Sequence, residues 1–565
     1  MRIQENQKVE WGPLLALFTI GFAIRTIGVD HGAILGDERI NEAAKVLTGQ
    51  LVPDHHFYPP LLNYITAVVY GVMFAIGKVL GVWPDPSAFR AQYFVDPTIF
   101  NVAGRVLVAA IAALAAPIAY WFARKMSYSK LEALFLSGFL LLTPISVYLS
   151  YIFKGDPGLA TFSLLSIVLF VLKVKGGVSR NLDIALAFAM VFALSFKHSF
   201  LFLMLPLAVS YLACAIQSIG ATETLRSVLR IFITGLIAWP ILNIGIVLDF
   251  HNFLAFQQVQ SVMSITSGGT FVEALQLLWS RMIHWQSGIG VILPILFATF
   301  PFIALGTKAP RALIAAWVAV VVGMVLVAYL VRLRQPEHLW VSFFVIMVLF
   351  AGLTLVEMTR LLKSLGVFVG ATALGIALVG CIGIWQQTLA RPITQDVAAS
   401  LTTRYADRKV ATGIPLPDVS QSRVAQEYEL SRHQRTAEKY QISLPPLSAE
   451  RIVPLDRAGT QFILPLPNPM SGLENARDQD LIGNIQPYAW PPQIADWQLD
   501  AWLEDGVDIF VVSNLAFLRA ETTSDMLRAF YNELNERCQV VERFHPRKPL
   551  FLERETVIMD CANAS

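Results

Sequence analysis

Charge is what this chain of 565 residues has least of: Lys, Arg, Asp and Glu together make up 15% of it, where a soluble globular protein carries about a quarter. With 55% of its residues hydrophobic, the chain is short of the polar surface a water-soluble fold needs, and lipid must cover what water does not. The charge that is present nearly balances, at +2, which excludes the concentrated basic face of a nucleic-acid binder. Cysteine is scarce, at 4 residues. Cys214 and Cys381 fall inside apolar runs, whereas Cys538 and Cys561 flank late strand-like segments and can bridge in an oxidising compartment. No Cys or His stands near that pair at metal-ligand spacing. There is no glycine-rich phosphate cradle, and no internal repeat of the kind that builds transporters from two halves.

What is present is a series of apolar runs suited to crossing about 30 Å of hydrocarbon. They lie near 11–30, 60–82, 99–122, 131–150, 157–173, 181–196, 199–217, 228–248, 288–307, 311–331, 338–357 and 365–386. The first is too long for a signal-peptide core and reads as a retained helix. Loops rich in Lys and Arg favour the cytoplasm, and five qualify: Arg124, Lys125 and Lys130; Lys173, Lys175 and Arg180; Arg226 and Arg230; Lys308 and Arg311; Arg360 and Lys363. The connections around Asp156, Lys197-His198, 249–287 and 332–338 then fall outside, as does everything after 387. With a cytoplasmic N-terminus one early run must not span. The run 60–82, opening on Pro59-Pro60 and continuing through Trp83, Asp85, Arg90 and Asp96, suits a juxtamembrane or re-entrant position, the alternative being that it spans and the early topology differs.

The expected fold class is an α-helical polytopic membrane protein of about eleven to thirteen transmembrane helices with a C-terminal extracytoplasmic α/β domain. The division falls between residues 1–387, with a first outer loop over 31–98, and residues 388–565. After a connector over 393–409 and a Pro-rich stretch between 414 and 492, segments 507–512, 539–544 and 556–560 read as strands and 523–536 as a helix.

Gly36-Asp37-Glu38-Arg39 stands just beyond the first apolar run, and Tyr58-Pro59-Pro60-Leu61 follows it. Ile40, Ala43, Ala44 and Leu47 recur at helical spacing and Gly49 closes the stretch. Asp37 is therefore placed either to cap a short helix or, at a membrane surface, to take the proton of an incoming hydroxyl or amine. Asp156, in Lys154-Gly155-Asp156-Pro157, offers the same choice at the mouth of a later helix. Lys197, His198, Arg332, Arg334 and His338 are basic residues at outer helix ends. They suit either an anion or an anchoring role at the lipid head groups, and His338 also suits a cap. Arg105, inside an apolar run, needs an internal partner, and a structural salt bridge is its expected role. Asp478-Gln479-Asp480 has the carboxylate spacing of metal- and nucleotide-sugar-dependent transferases but no apolar strand before it, and His55-His56 read as loop polarity or as substrate contacts.

The order of apolar helix, Asp-Glu, short helix, Tyr-Pro-Pro-Leu, second helix with a basic loop, and Lys-Gly-Asp-Pro opening another helix resembles the GT-C glycosyltransferases. The likeness is to the protein O-mannosyltransferase and aminoarabinose transferase branch, over roughly residues 11–200. The resemblance implies an enzyme moving a sugar, with inversion, from a polyprenyl-phosphate donor to a lipid, glycan or protein acceptor on the outer side of the cytoplasmic (inner) membrane. By match of motif it implies Asp37 as general base, Glu38 as a neighbour that binds acceptor or orients the loop, and Asp156 as a second acidic position. The departing lipid phosphate then asks for cations, for which Lys197, His198, Arg332 and Arg334 are available, with Tyr58, His56 and His338 as substrate contacts. No nucleotide or other cofactor is implied as obligatory, no metal ligand is assigned, and a divalent metal stays open. The expected partners are the lipid-linked donor, the acceptor and membrane lipids, without nucleic acid. The competing classes are a transporter or flippase of lipid-linked sugars and an outer-face glycan polymerase or ligase.

Overall fold

The computed structural model describes residues 10–32, 38–53, 56–177, 179–265, 269–307, 309–332, 336–414, 416, 452–455, 498–514, 525–551 and 553–562. Two compact units emerge: one holds the chain through Val29, Asp37–Gly71 and Asn101–Gln386, and the other holds Asp30–Gly36, Val72–Phe100 and the chain from Gln387 onward. The loop read from sequence as one stretch over 31–98 thus divides between them.

The helices run in order α1 (Trp11–Thr26), α2 (Ile40–Val46), α3 (Leu61–Val79), α4 (Pro86–Val95), α5 (Thr98–Ala113), α6 (Ala115–Lys125), α7 (Lys130–Leu141) and α8 (Pro144–Leu149). They continue with α9 (Asp156–Gly176), α10 (Arg180–Phe196), α11 (Leu201–Ile219), α12 (Ala221–Leu242), α13 (Ile244–Leu248) and α14 (Phe250–Ile265). The last of the series are α15 (Phe271–Ile283), α16 (Ile292–Gly306), α17 (Arg311–Val331), α18 (Glu337–Leu362), α19 (Ser364–Leu389) and α20 (Ile393–Thr403).

Among the described residues, 8 helical stretches are long and apolar enough to cross a membrane: α3, Thr98–Lys125, α9, His198–Ile219, α12, α17, α18 and Ser364–Thr403. The run 60–82, expected to lie at the surface, thus forms a helix of crossing length. Other runs come out shorter than the sequence suggested. The stretch 131–150 breaks into α7 and α8 because Pro144 holds Thr143 in an extended conformation, with ψ 111. The runs at 11–30 and 288–307 yield the shorter apolar helices α1 and α16.

In the first unit α18 is the central helix, buried without interruption from Trp340 to Val356, and it packs against α9, α16 and α7. A helix that is apolar on all sides belongs inside a bundle; α12, with few buried residues, presents most of its surface outward. One buried charge cluster of this unit is fully paired. Asp183, at the start of α10, meets Lys173 at 2.7 Å and Arg230 at 3.0 Å, as ionisable groups within a membrane domain require.

The second unit contains a 5-stranded sheet in the order β2-β1-β3-β5-β4, with β1 (Lys409–Thr412), β2 (Ile452–Pro454), β3 (Val507–Ser513), β4 (Gln539–Phe544) and β5 (Thr556–Asp560). β1 is parallel to β2 and β3, and β5 is antiparallel to β3 and β4. Along β3 the side chains alternate between two apolar layers. Phe510 and Val512 join Trp502, Phe530 and Leu534 of α21 (Leu499–Glu504) and α22 (Asp525–Arg537), while Ile509 and Val511 join Ile393, Val397 and Leu401 of α20. A central strand buried on both faces reads as a continuous apolar run, and Ile509-Phe510-Val511-Val512 is such a run. The register sets Gln539 opposite Asp560, which brings Cys538 and Cys561 together as a disulfide with Cα atoms 4.4 Å apart. In the same unit Lys548, fully buried, donates to the carbonyl of His31, and the Phe551 ring lies 4.3 Å from the His31 ring.

Candidate active site

The acidic segment after α1 is held by its second carboxylate. Glu38, 8% exposed, receives Arg105 Nε and Nη2 at 2.8 Å each, one on either oxygen, and Oε1 also accepts the Phe153 N–H at 3.0 Å. The backbone reciprocates, since the Arg39 N–H donates to the Phe153 carbonyl at 3.1 Å. Such a fork-on-carboxylate pair fixes orientation as well as charge. Gly104 makes room for it: a Cβ there would stand 2.5 Å from the Phe153 ring. Arg105 thus has the structural ion pair expected of it, and both oxygens of Glu38 are engaged.

The short helix expected here is α2, but it starts at Ile40 with Arg39 in the N-cap position and no side-chain cap bond. Asp37 itself lies outside the described residues, as do Arg334, His55 and Asp478-Gln479-Asp480.

Asp156 sits in the first turn of α9, where Gly155 rather than Asp156 occupies the N-cap position. Its side chain, 1% exposed, accepts from Lys197 Nζ at 2.6 Å through Oδ1, while Oδ2 is buried without a hydrogen-bond partner. Glycines allow this meeting. A Cβ on Gly155 would lie 2.4 Å from the Phe196 carbonyl oxygen, and one on Gly158 would lie 2.3 Å from the Phe196 ring. The start of α9 therefore presses directly onto the end of α10, and Lys197, the residue after Phe196, reaches Asp156. Lys154 and His338 are the further basic groups that bear on the Asp156 carboxylate.

Tyr58 is the hub of this arrangement. Arg39 Cζ stands 5.2 Å from its ring centroid, Lys154 Nζ 5.6 Å and Lys197 Nζ 5.7 Å, all within the range in which a ring face attracts a cation. Three cations meet on one ring from three separate segments. Two nitrogens of Arg39, Nε and Nη2, are buried without a hydrogen-bond partner, a condition that costs about 1–3 kcal/mol per group unless a ligand supplies the acceptor.

The remaining candidates go elsewhere. Arg332 donates to the Gly269 carbonyl at 3.0 Å and lies 5.9 Å from the Tyr329 ring; neither partner belongs to the group around Tyr58. His56 and His198 take part in a separate cluster with Asp249 and Gln257. Arg39 and Lys154 were not singled out as site residues in the sequence, although both lie inside quoted motifs. The available signal was the small-residue spacing of Lys154-Gly155-Asp156-Pro157-Gly158, which marks a close helix approach.

These features define a class: a multi-pass membrane protein with a half-buried, cation-lined tyrosine where α9 begins and α10 ends. Residues 53–261 match the family model described as dolichyl-phosphate-mannose-protein mannosyltransferase. That segment carries Tyr58, Lys154, Asp156 and Lys197, and the matched family belongs to the branch that the sequence resemblance named. No curated protein sequence matches the chain. Among solved structures it is similar to ArnT from Cupriavidus metallidurans bound to undecaprenyl phosphate, at 14% identity and TM-score 0.47 over 99% of this chain and 100% of that one. It is also similar to the archaeal oligosaccharyltransferase AglB from Archaeoglobus fulgidus in complex with an inhibitory peptide and a dolichol-phosphate, at 11% identity and TM-score 0.41 over 93% and 72%.

Proposed function

We propose that this membrane glycosyltransferase takes its sugar from a polyprenyl-phosphate carrier, holds the carrier phosphate on Arg39, Lys154 and Lys197 beside Tyr58, and delivers the sugar to an acceptor outside the cytoplasm. The observation that carries this reading is the Arg39 guanidinium, buried over the Tyr58 ring with two nitrogens lacking an acceptor. A phosphate monoester or diester supplies acceptor oxygens in the geometry a guanidinium fork prefers. The family description, which names a dolichyl-phosphate-mannose donor, supports the same donor class. The Cys538–Cys561 bridge supports an extracytoplasmic tail, since such bonds persist in oxidising compartments.

In the proposed step the acceptor oxygen attacks the anomeric carbon as its proton passes to the Asp37 carboxylate. The bond from that carbon to the phosphate oxygen breaks, and its electron pair leaves with the lipid phosphate. Inversion follows from attack opposite the leaving group. The cations meet charge that grows during the step, which is where fixed electrostatics contribute most. Lys197, tethered to Asp156, is held in place for this, and Glu38 on Arg105 fixes the residue beside Asp37 in the chain.

The test is transfer of a radiolabelled sugar from polyprenyl phosphate by the purified protein in proteoliposomes. The Asp37→Asn variant is expected to lose about 10²-fold or more in kcat, the scale of a lost general base, with donor binding kept. Arg39→Ala is expected to weaken donor binding by about tenfold or more, as for a lost charge-assisted hydrogen bond. Leaflet exchange of the donor without transfer would sink the enzyme reading in favour of a flippase.

A further inference from the structure

Next to the cation cluster stands a second group of a different chemistry. His56, 1% exposed, meets Asp249 Oδ2 through Nε2 at 2.7 Å, and the other Asp249 oxygen accepts from Asn252 Nδ2 at 2.9 Å. An imidazole held this way by a carboxylate carries a proton on Nε2 and leaves Nδ1 for a further partner; that Nδ1 is buried and has no hydrogen-bond partner. His198 also has a buried nitrogen without a partner, Nε2, while its Nδ1 lies 3.5 Å from Gln257 Nε2. The Gln257 amide in turn reaches the His56 carbonyl at 3.4 Å.

Aromatic rings wall this group. Phe253 of α14 stands edge-on to both imidazoles, at 6.0 Å from His56 and 5.3 Å from His198. Phe256 approaches His56 at 5.9 Å and Phe57 at 5.0 Å. Two imidazoles and a carboxamide set among phenyl rings offer directional hydrogen bonding on an apolar wall. A hydroxylated ring has the complementary character, with apolar C–H faces and polar edges, whereas a phosphate demands the cations that gather at Tyr58.

The chain ties the two groups together at two places. His56 is two residues from Tyr58, and His198 directly follows Lys197. A donor has the same arrangement, its sugar ring one bond from its phosphate. We propose that His56, His198 and Gln257 form the subsite for the uncharged, hydroxyl-bearing sugar ring of the donor, an assignment that rests on the donor reading above. His198 thereby belongs to sugar recognition and not to the phosphate, and α14 is the element through which the enzyme selects its sugar.

The experiment compares binding of three probes to the full-length protein in nanodiscs: undecaprenyl phosphate, its mannosyl ester and its glucosyl ester. Wild type is expected to bind at least one glycosyl ester more tightly than the bare lipid. The His198→Ala and Gln257→Ala variants are expected to lose about tenfold in affinity for that ester, the effect of one hydrogen bond left unmade, with affinity for undecaprenyl phosphate unchanged. Gln257, half-buried on α14, provides the readout if the His198 variant does not fold. Equal losses for ester and bare lipid, or no loss for either, would overturn the subsite while leaving the donor reading standing. A wild-type protein that binds none of the three probes would remove the donor reading and the subsite with it.

Discussion

Glu38 and Arg105 carry the largest single electrostatic commitment next to the proposed site. Both side chains are nearly solvent-free, at 2% and 4% exposure, so each depends on the other to offset its desolvation. Removing one member leaves an uncompensated buried charge, which costs about 3–5 kcal/mol. Arg105→Met is accordingly expected to lower thermal stability sharply in detergent, whereas the Glu38→Gln/Arg105→Met double variant, with no buried charge left, should recover a substantial part of it. The double variant should still transfer sugar more slowly than wild type, because the segment beside Asp37 loses its tether. Circular dichroism melts with parallel transfer assays separate the two effects. Full stability in the single Arg105→Met variant would show that the pair does not hold the loop.

At the level of elements, three glycines set how closely backbones approach. Gly155 faces the Phe196 carbonyl oxygen and Gly158 its ring, while Gly104 lies under Phe153. A methyl group at Gly155 meets backbone that cannot rotate away, so α9 must move off α10 and Asp156 must separate from Lys197. Gly155→Ala is expected to destabilise the protein by about 1–3 kcal/mol, the usual range for overpacking, and to weaken donor binding together with stability. Gly12, where an added Cβ meets nothing within 4 Å, is the control. Gly12→Ala should leave the melting temperature unchanged or slightly raised, because alanine loses less backbone freedom in a helix. Equal behaviour of the two variants would exclude close packing as the reason for Gly155.

On the scale of the whole molecule, the disulfide links the start of the edge strand β4 to the end of its neighbour β5. Its loop is short, with a sequence separation of 23 residues, and removing such a bridge is expected to cost about 2–4 kcal/mol. Cys538→Ser/Cys561→Ser should therefore expose the tail to limited proteolysis at lower temperature while the membrane helices remain intact. Non-reducing mass spectrometry of protein from native membranes should recover the Cys538–Cys561 peptide pair. Recovery of two free thiols, protected from a membrane-impermeant reagent, would place the tail in the cytoplasm and reverse the proposed orientation.

Much of this protein follows from local sequence because its physics is local. A shortage of charge and repeated long apolar runs are enough to require a membrane domain, and a strand buried on both faces, such as 507–512, is legible from its apolar, β-branched-rich stretch Ile509-Phe510-Val511-Val512. The late strands at 539–544 and 556–560 and the helix before them are equally plain, and the two cysteines at their ends acquire their pairing from that strand order. The strands at Lys409–Thr412 and Ile452–Pro454 escaped notice because each is too short to show a period, and the second lies in a Pro-rich stretch. Arg105 announced its need for a partner, since a lone charge in an apolar run cannot be left unpaired. Which acid would meet it was not legible: Glu38 is 67 residues away, and only packing decides such a pairing. The same holds for the site. Arg39, Tyr58, Lys154 and Lys197 come from three distant segments and meet on one ring because glycines at 155 and 158 let two helix ends touch; the spacing of those glycines marks a close approach, but which helix end meets them is decided only by the tertiary structure.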